Sequence, residues 1–269
     1  MEIITSVNNQ RVKDVANLKQ KKYRAESGAF FAEGLRAVQE AVTYAEITDL
    51  FYTAAEEDKL KETLKAAKEK GSGLYRVDEK VMAKLCDTKT PQGVLAVIRT
   101  PENNLRQLRP DTASDNNAPV IILDRIQDPG NLGTIIRTAD AAGALGIILL
   151  EGCTDAYSPK VVRASMGSLF HLPVIQNVFP EEALTWCYRH GYEPAATALK
   201  KAQNMYKADL SKKLAFIFGN EANGVSEELQ AAVETRLFIP MAGQAESMNV
   251  AMAAGIVLFE GLRQRKFIR

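Results

Sequence analysis

The sequence predicts an α/β protein built as two domains. Three observations lead to that class. Apolar strand-like runs alternate with helical patterns along the chain, as a sheet covered by helices requires. A polar stretch rich in proline and asparagine, "TPENNLRQLRPDTASDNNAP" from Thr100 to Pro119, interrupts the alternation. The length, 269 residues, suits about two domains, and 46% hydrophobic with 25% charged residues suffices for packed cores. These divide the chain into residues 1–99, a linker over 100–117, and a second domain over 118–269 that carries the chemistry.

In the first domain, "NQRVKDVANLKQKKYR" sets Val12, Val15 and Leu18 at helical spacing beneath a basic outer face. "GAFFAEGLRAVQEAV" begins as a strand and continues as a helix whose inner stripe is Leu35, Val38 and Val42. "ITDLFYT" reads as a strand, "EEDKLKETLKAAKEKG" as a surface helix ending at Gly71, and "GVLAVIRT" as a buried strand. In the second domain "PVIILD", "GIILL", "LPVI", "EPAATAL", "LAFIFG" and "RLFIP" are nearly continuous apolar strands separated by helices, the texture of a parallel sheet buried on both faces.

Composition narrows the chemistry. Net charge is +1, yet six basic residues stand against two acidic ones between Met1 and Arg24, and Arg263, Arg265, Lys266 and Arg269 form another basic group. Such clusters suit phosphates, and equally suit a solvated helix face. Cys86, Cys153 and Cys187 are odd in number and widely spaced, against a disulfide framework. His171 and His190 are the only histidines and lack ligand spacing with a cysteine, so no metal site is expected, and a serine–histidine–acid arrangement is disfavoured. No apolar run approaches the roughly 18–20 residues of a membrane span, and "MEIITSVNNQRVKD" lacks a secretory apolar region. The expected location is the cytoplasm, with no membrane partner.

The stretch "LDRIQDPGNLGTIIRTADAAGALGIILL" runs strand, glycine turn, helix, strand without the dinucleotide-binding glycine pattern. Leu132, Ile135, Ile136, Ala139 and Gly143 form the buried stripe of its helix. Arg137 falls well off that stripe, on the opposite side, available to a cleft or to solvent. Pro129 and Gly130 make the turn, and Asn131 is placed to cap the helix start. Two later segments share this strand–loop–helix design. "FIFGNEANGVSEEL" opens at Gly219 into a loop of asparagine, glutamate and glycine, with Ser226 as cap of a helix carrying Glu227 and Glu228 in its first turn. "LFIPMAGQAESMNVAMAAGIVLFEGLRQRK" leaves a strand at Pro240 and enters a long helix capped by Ser247, packed through Val250, Ala251, Ala254, Val257 and Leu258. Core packing accounts for those apolar residues but not for Ser247, Met248 and Asn249 crowding the first turn.

In this order the three segments resemble the SpoU (TrmH-like) branch of the SPOUT RNA methyltransferases. Asn131, Gly133 and Arg137 match a first motif, Asn-x-Gly-x-x-x-Arg; Gly219, Glu221 and Gly224 match a second; Pro240, Ser247, Asn249 and Ala251 match a third, where Met248 replaces a frequent leucine. "YSPKVVRASMGSLFHLPV" is similar to the family as well, and residues 1–99 resemble the small RNA-binding domain of many members, itself similar to ribosomal proteins that bind kinked RNA.

The resemblance implies a SPOUT-type parallel sheet flanked by helices with a C-terminal trefoil knot, a homodimer that completes each active site, and S-adenosyl-L-methionine as methyl donor. It implies transfer to a ribose 2′-hydroxyl of RNA, with 23S ribosomal RNA favoured. It assigns Arg137 the central catalytic part, with Asn131, Glu221, Ser247 and Asn249 orienting the groups around it. Thr197, Ala198, Leu199, Gly219, Asn220, Gly224, Ile239, Met241, Met248 and Asn249 fall at the donor. RNA contacts are expected from Arg11, Lys13, Lys19, Lys21, Lys22, Arg24, Lys160 and Arg163, although Arg163 equally suits a structural partner of a carboxylate at the dimer interface. The alternatives are a transfer-RNA 2′-O-methyltransferase and a non-catalytic RNA-binding or ribosome-assembly protein on the same fold. A nicotinamide-dependent enzyme on a doubly wound sheet is disfavoured by the missing glycine fingerprint.

Overall fold

A computed structural model describes residues 2–112 and 115–267. The chain forms two compact units, one of residues 1–101 with 157–171, the other of 102–156 with 172–269.

The first unit contains β1 (Glu2–Ile4), α1 (Gln10–Asn17), α2 (Lys21–Ser27), β2 (Ala29–Glu33), α3 (Leu35–Tyr44), β3 (Ile47–Thr53), α4 (Lys61–Glu69), β4 (Gly73–Val77), α5 (Glu79–Leu85) and β5 (Val94–Arg99). Its mixed five-stranded sheet has the order β1-β4-β3-β5-β2. Val12, Val15 and Leu18 are buried with Phe31, Phe51 and Leu95, as their spacing predicts. The single basic helix expected over Asn9–Arg24 is instead two, α1 and α2, joined by a turn. Arg24 explains the break. Its side chain turns inward, and Nη1 donates to the carbonyls of Leu18 at 2.7 Å and Lys19 at 2.9 Å, satisfying acceptors left open where α1 stops.

The second unit contains β6 (Val120–Leu123), α6 (Pro129–Ala141) and β7 (Gly146–Leu150). The chain then leaves it for α7 (Pro159–Ala164), which belongs to the first unit, and returns for the remaining elements. These are β8 (Val174–Val178), α8 (Pro180–Arg189), β9 (Glu193–Thr197), β10 (Gln203–Asn204), β11 (Leu214–Phe218), α9 (Glu227–Ala231), β12 (Thr235–Phe238) and α10 (Val250–Lys266). All strand pairings are parallel in a seven-stranded sheet of order β10-β12-β9-β11-β6-β7-β8. The four central strands β9, β11, β6 and β7 are buried along almost their full length, which is why they read as unbroken apolar runs. β6 lies between β7 and the later β11, so strand order reverses there. Loops leaving the carboxyl ends of strands at such a point form the usual ligand crevice of open parallel sheets.

Several expectations change in detail. The segment expected to link the domains holds short 3-10 turns at Leu105–Gln107 and Pro110–Thr112 and buries Leu108 in the second core. Ala113 and Ser114 of that segment, and Arg269 of the terminal basic group, lie outside the described residues. Arg263 pairs with Glu260, while Arg265 and Lys266 pair with Asp115. Gly143 is not part of the α6 stripe. It follows the helix at φ 68°, the left-handed turn that ends it. Among the described residues no helix is long and apolar enough to cross a membrane, and no group of three histidine, cysteine or acidic side chains is placed to hold a metal.

Candidate functional site

Three loops leave the carboxyl ends of parallel strands on one edge of the sheet: β6 to α6 and β11 to α9 from adjacent strands, and β12 to α10 from the strand beyond β9. The first starts α6 at Pro129, whose missing N–H and preset φ suit a first helical turn. Asp128, not Asn131, is the N-cap; its side chain accepts the Asn131 N–H at 2.8 Å. The Asn131 side chain is thereby free for the other loops. Its Nδ2 donates to Glu221 Oε1 at 3.1 Å, and its Oδ1 accepts from Asn249 Nδ2 at 2.9 Å. One asparagine thus ties all three loops together.

Asn249 rather than Ser247 caps α10, its Oδ1 accepting from the N–H groups of Ala251 at 2.9 Å and Met252 at 3.3 Å. Ser247 is exposed in the loop before it. Burial pushes the Glu221 carboxyl pKa up, but hydrogen bonds from Asn131 Nδ2 and the backbone N–H groups of Asp128 and Gln127 outweigh it and hold the pKa below its ordinary value. The site therefore keeps a fixed anion at neutral pH.

The β11–α9 loop closes on itself. Gly224 N–H donates to the Asn220 carbonyl at 2.8 Å, and Asn220 Oδ1 accepts from the N–H groups of Ala222 at 2.9 Å and Asn223 at 3.2 Å. A Cβ at Gly219 would stand 1.9 Å from Val225 N and 2.0 Å from Gly224 C, so only glycine fits. The β12–α10 loop is the opposite. From Pro240 to Met248 no backbone group pairs with another backbone group among the described residues, leaving donors and acceptors for a ligand. Beside it, Thr197 Oγ1 bonds the Ile217 carbonyl at 3.1 Å and Ala198 N–H bonds the Leu237 carbonyl at 2.9 Å. Leu199 stands 68% exposed just beyond, while Ile239, Met241 and Met248 are half-buried.

Arg137 is exposed on α6 and has no hydrogen-bonding or ionic partner among the described residues. Six residues beyond Asn131, it points about 120° away around the helix. The structure thus joins Asn131, Glu221 and Asn249 directly but leaves Arg137 and Ser247 outside that network. α6 and α10 pack together, with Thr138 Cγ2 facing Gly255.

The expected RNA-binding residues separate into two sets. Lys13, Lys21, Lys22 and Lys160 are exposed. Arg24 is buried and structural, which corrects its assignment to RNA. Arg11 ion-pairs with Asp49 at 2.7 Å and lies over the Tyr75 ring, and Lys19 donates to the Lys84 carbonyl at 2.9 Å. Arg163 pairs with carboxylates of its own chain, not of a partner subunit: its Nη1 is 2.9 Å from Glu33 Oε1 and 3.3 Å from Asp87 Oδ2, all within the first unit. A cleft of about 910 Å³ in the second unit runs along β8 and α8 past Arg106, Trp186 and Arg189, and none of the expected site residues lines it. Sequence reasoning missed Asp128, whose signal was an acidic residue directly before a proline at a helix start.

Comparison with known proteins fits this geometry. Residues 118–259 match the SpoU rRNA Methylase family, and residues 9–96 match the MRM3-like substrate binding domain. The chain is 36% identical over 259 residues to the 23S rRNA (guanosine(2553)-2′-O)-methyltransferase of Bacillus subtilis, covering 96% of this chain and 98% of that one. It is 31% identical to the human mitochondrial rRNA methyltransferase 3, covering 92% of this chain and 70% of the human protein. The crystal structure of an AdoMet-bound rRNA methyltransferase from Sinorhizobium meliloti superposes with a TM-score of 0.88 at 36% identity, over 99% of both chains.

Proposed function

The chain belongs to the SpoU rRNA methylase family, and from that membership we propose that it transfers a methyl group from S-adenosyl-L-methionine to a ribose 2′-hydroxyl of large-subunit ribosomal RNA. The observation that carries the reading is the junction of three carboxyl-edge loops through Asn131, Glu221 and Asn249.

The residues present fit the donor. The Pro240–Met248 loop offers unpaired backbone groups to the edge of an adenine, and the exposed Leu199 with Ile239, Met241 and Met248 offers it an apolar wall. Thr197, Ala198, Gly219, Asn220 and Gly224 complete the surroundings. When bound, the donor supplies a methyl group on a positively charged sulfonium.

What the protein must do is bring a ribose oxygen in line with that methyl and manage the hydroxyl proton. A 2′-hydroxyl is a weak acid, so negative charge grows on its oxygen as the proton leaves. We assign Arg137 to clamp the adjoining phosphate and stabilise that charge; a guanidinium holds its proton too firmly to accept another group's. Asn131, Glu221 and Asn249 hold the loops in register, which lowers the entropy lost in assembling the site. Ser247, exposed beside Asn249, is available to the ribose or the donor.

The reading extends to the whole chain. Residues 1–99 bind RNA through Lys13, Lys21, Lys22 and their neighbours, residues 100–117 join the two parts, and residues 118–269 catalyse. The C-terminal trefoil knot belongs to the same proposal. So does a homodimer, supported by Met252 and Phe259, 62% and 48% exposed, with Ile256 between them along one side of α10. A second copy would cover that stripe and stand near Arg137 on the adjoining helix; sedimentation at the mass of a monomer would remove it. The cytoplasm is the proposed compartment, in keeping with three free cysteines.

The test is direct. Purified protein with labelled S-adenosyl-L-methionine should methylate ribosomal RNA, and mass-spectrometric ribose maps of cells with and without the protein should differ at one nucleotide. Methylation confined to transfer RNA would favour that alternative, and donor binding without transfer to either RNA would refute the enzymatic reading.

A further inference from the structure

We propose that Asp124 and Arg125, at the carboxyl end of β6, are positioning residues that hold the Gly219–Val225 loop in its donor-binding form. The inference rests on the assignment of that loop to the donor made above. Neither residue belongs to the site as described so far.

Asp124 is a buried carboxylate, 4% exposed. Its Oδ2 accepts the Ser226 N–H at 2.8 Å, where the loop ends and α9 begins. Its two oxygens also receive the Arg125 guanidinium, from Nε at 2.9 Å and Nη2 at 3.3 Å. Such a fork answers the remaining charge of a carboxylate that could not otherwise be buried so deeply.

Arg125 holds the other end of the loop. Its carbonyl accepts from Asn220 Nδ2 at 2.9 Å, next to Gly219. The same Asn220 side chain organises the turn through the Ala222 and Asn223 N–H groups. Arg125 has φ 54°, a left-handed conformation that a branched chain of contacts must impose on a residue other than glycine. Here those contacts are the fork to Asp124 on its side chain and the bond from Asn220 on its backbone. The Asp124 N–H donates to the Phe218 carbonyl at 2.9 Å, which registers the whole device to the sheet.

Two adjacent residues of one strand end therefore pin both ends of a loop from the neighbouring strand. The loop between them carries Glu221 to Asn131, so the same device sets where the three-loop junction forms. A loop pinned in this way pays less ordering entropy when a ligand binds.

The experiment is calorimetric titration of the full chain with S-adenosyl-L-methionine, alongside RNA affinity and melting temperature. Asp124→Asn keeps the size and one acceptor oxygen but loses the charge that closes the fork. It should weaken donor affinity about tenfold, the usual worth of one charge-assisted hydrogen bond, with RNA affinity and melting little changed. Asn220→Ala should weaken it similarly, and the double variant should be no worse than the weaker single, since both act on one loop. Should Asp124→Asn fail to fold, Arg125→Gly makes the same test. It adopts this φ freely, keeps the carbonyl, removes the guanidinium together with its methylene stem, and should cost at least threefold in donor affinity. Unchanged donor affinity in Asp124→Asn or Arg125→Gly while Asn220→Ala weakens it overturns the inference. Equal losses of donor and RNA affinity with a lowered melting temperature also overturn it, since they mark a purely structural role. Absence of donor binding by the wild-type chain, or no effect of Asn220→Ala, overturns the donor-loop assignment itself.

Discussion

Replacing Gly219 by alanine places a methyl group 1.9 Å from Val225 N and 2.0 Å from Gly224 C, both backbone atoms. Comfortable contact between non-bonded heavy atoms begins near about 3.5 Å, so the two sides of the loop must part by roughly 1.6 Å. A shift of that size carries the 2.8 Å bond between Gly224 N–H and the Asn220 carbonyl beyond hydrogen-bonding range, and it strains the turns at Ala222 and Asn223. Two or three such bonds at about 1 kcal/mol each put the loss at roughly 2–3 kcal/mol. For a unit of this size the melting temperature should fall by roughly 4–12 °C. Differential scanning calorimetry reads that fall, and titration with S-adenosyl-L-methionine should show donor affinity lowered more than tenfold. A Gly219→Ala protein that melts like the wild type and binds the donor within twofold would refute the steric argument and the loop's role together.

Other expectations follow from the same geometry. Arg137→Ala should lower single-turnover methylation by at least about a hundredfold while donor affinity stays level, and Arg137→Lys, which keeps charge but not the planar fork, should recover only part of it. Alanine at Lys13, Lys21 or Lys22 should reduce the salt dependence of RNA binding by roughly one ion each, whereas Arg24→Ala should lower stability and leave that dependence alone, because its guanidinium caps Leu18 and Lys19. Glu221 has a depressed pKa in the folded chain, so its stabilising contribution is present above the unfolded value near 4.5 and is lost as pH falls through the lower folded one. Acid titration followed by circular dichroism should therefore find Glu221→Gln with a shallower loss of stability below about pH 4.5, and an acid limb identical to wild type would contradict this.

The sequence by itself determined the class of the fold, because burial on both faces writes itself into a strand as an unbroken apolar run. β6, β7, β9 and β11 were each legible that way, and so were the packed faces of α1, α3 and α10. The three loops of the site were legible as glycine, asparagine and proline at strand ends, and their membership of one family followed from their order. Partners in space were not legible, since a hydrogen bond between positions 90 or 118 residues apart leaves no local pattern. Only the tertiary structure showed that Asn131 binds across the loops instead of capping its own helix, and that Asn249 takes the cap expected of Ser247. It alone turned Arg24 from a phosphate ligand into a partner of buried carbonyls, and it named Glu33 and Asp87 of the same chain as the carboxylates facing Arg163. Local sequence dictates which backbone shapes and faces form, through sterics and burial acting within a few residues. The destination of a long polar side chain depends on which acceptor the folded chain carries within its reach.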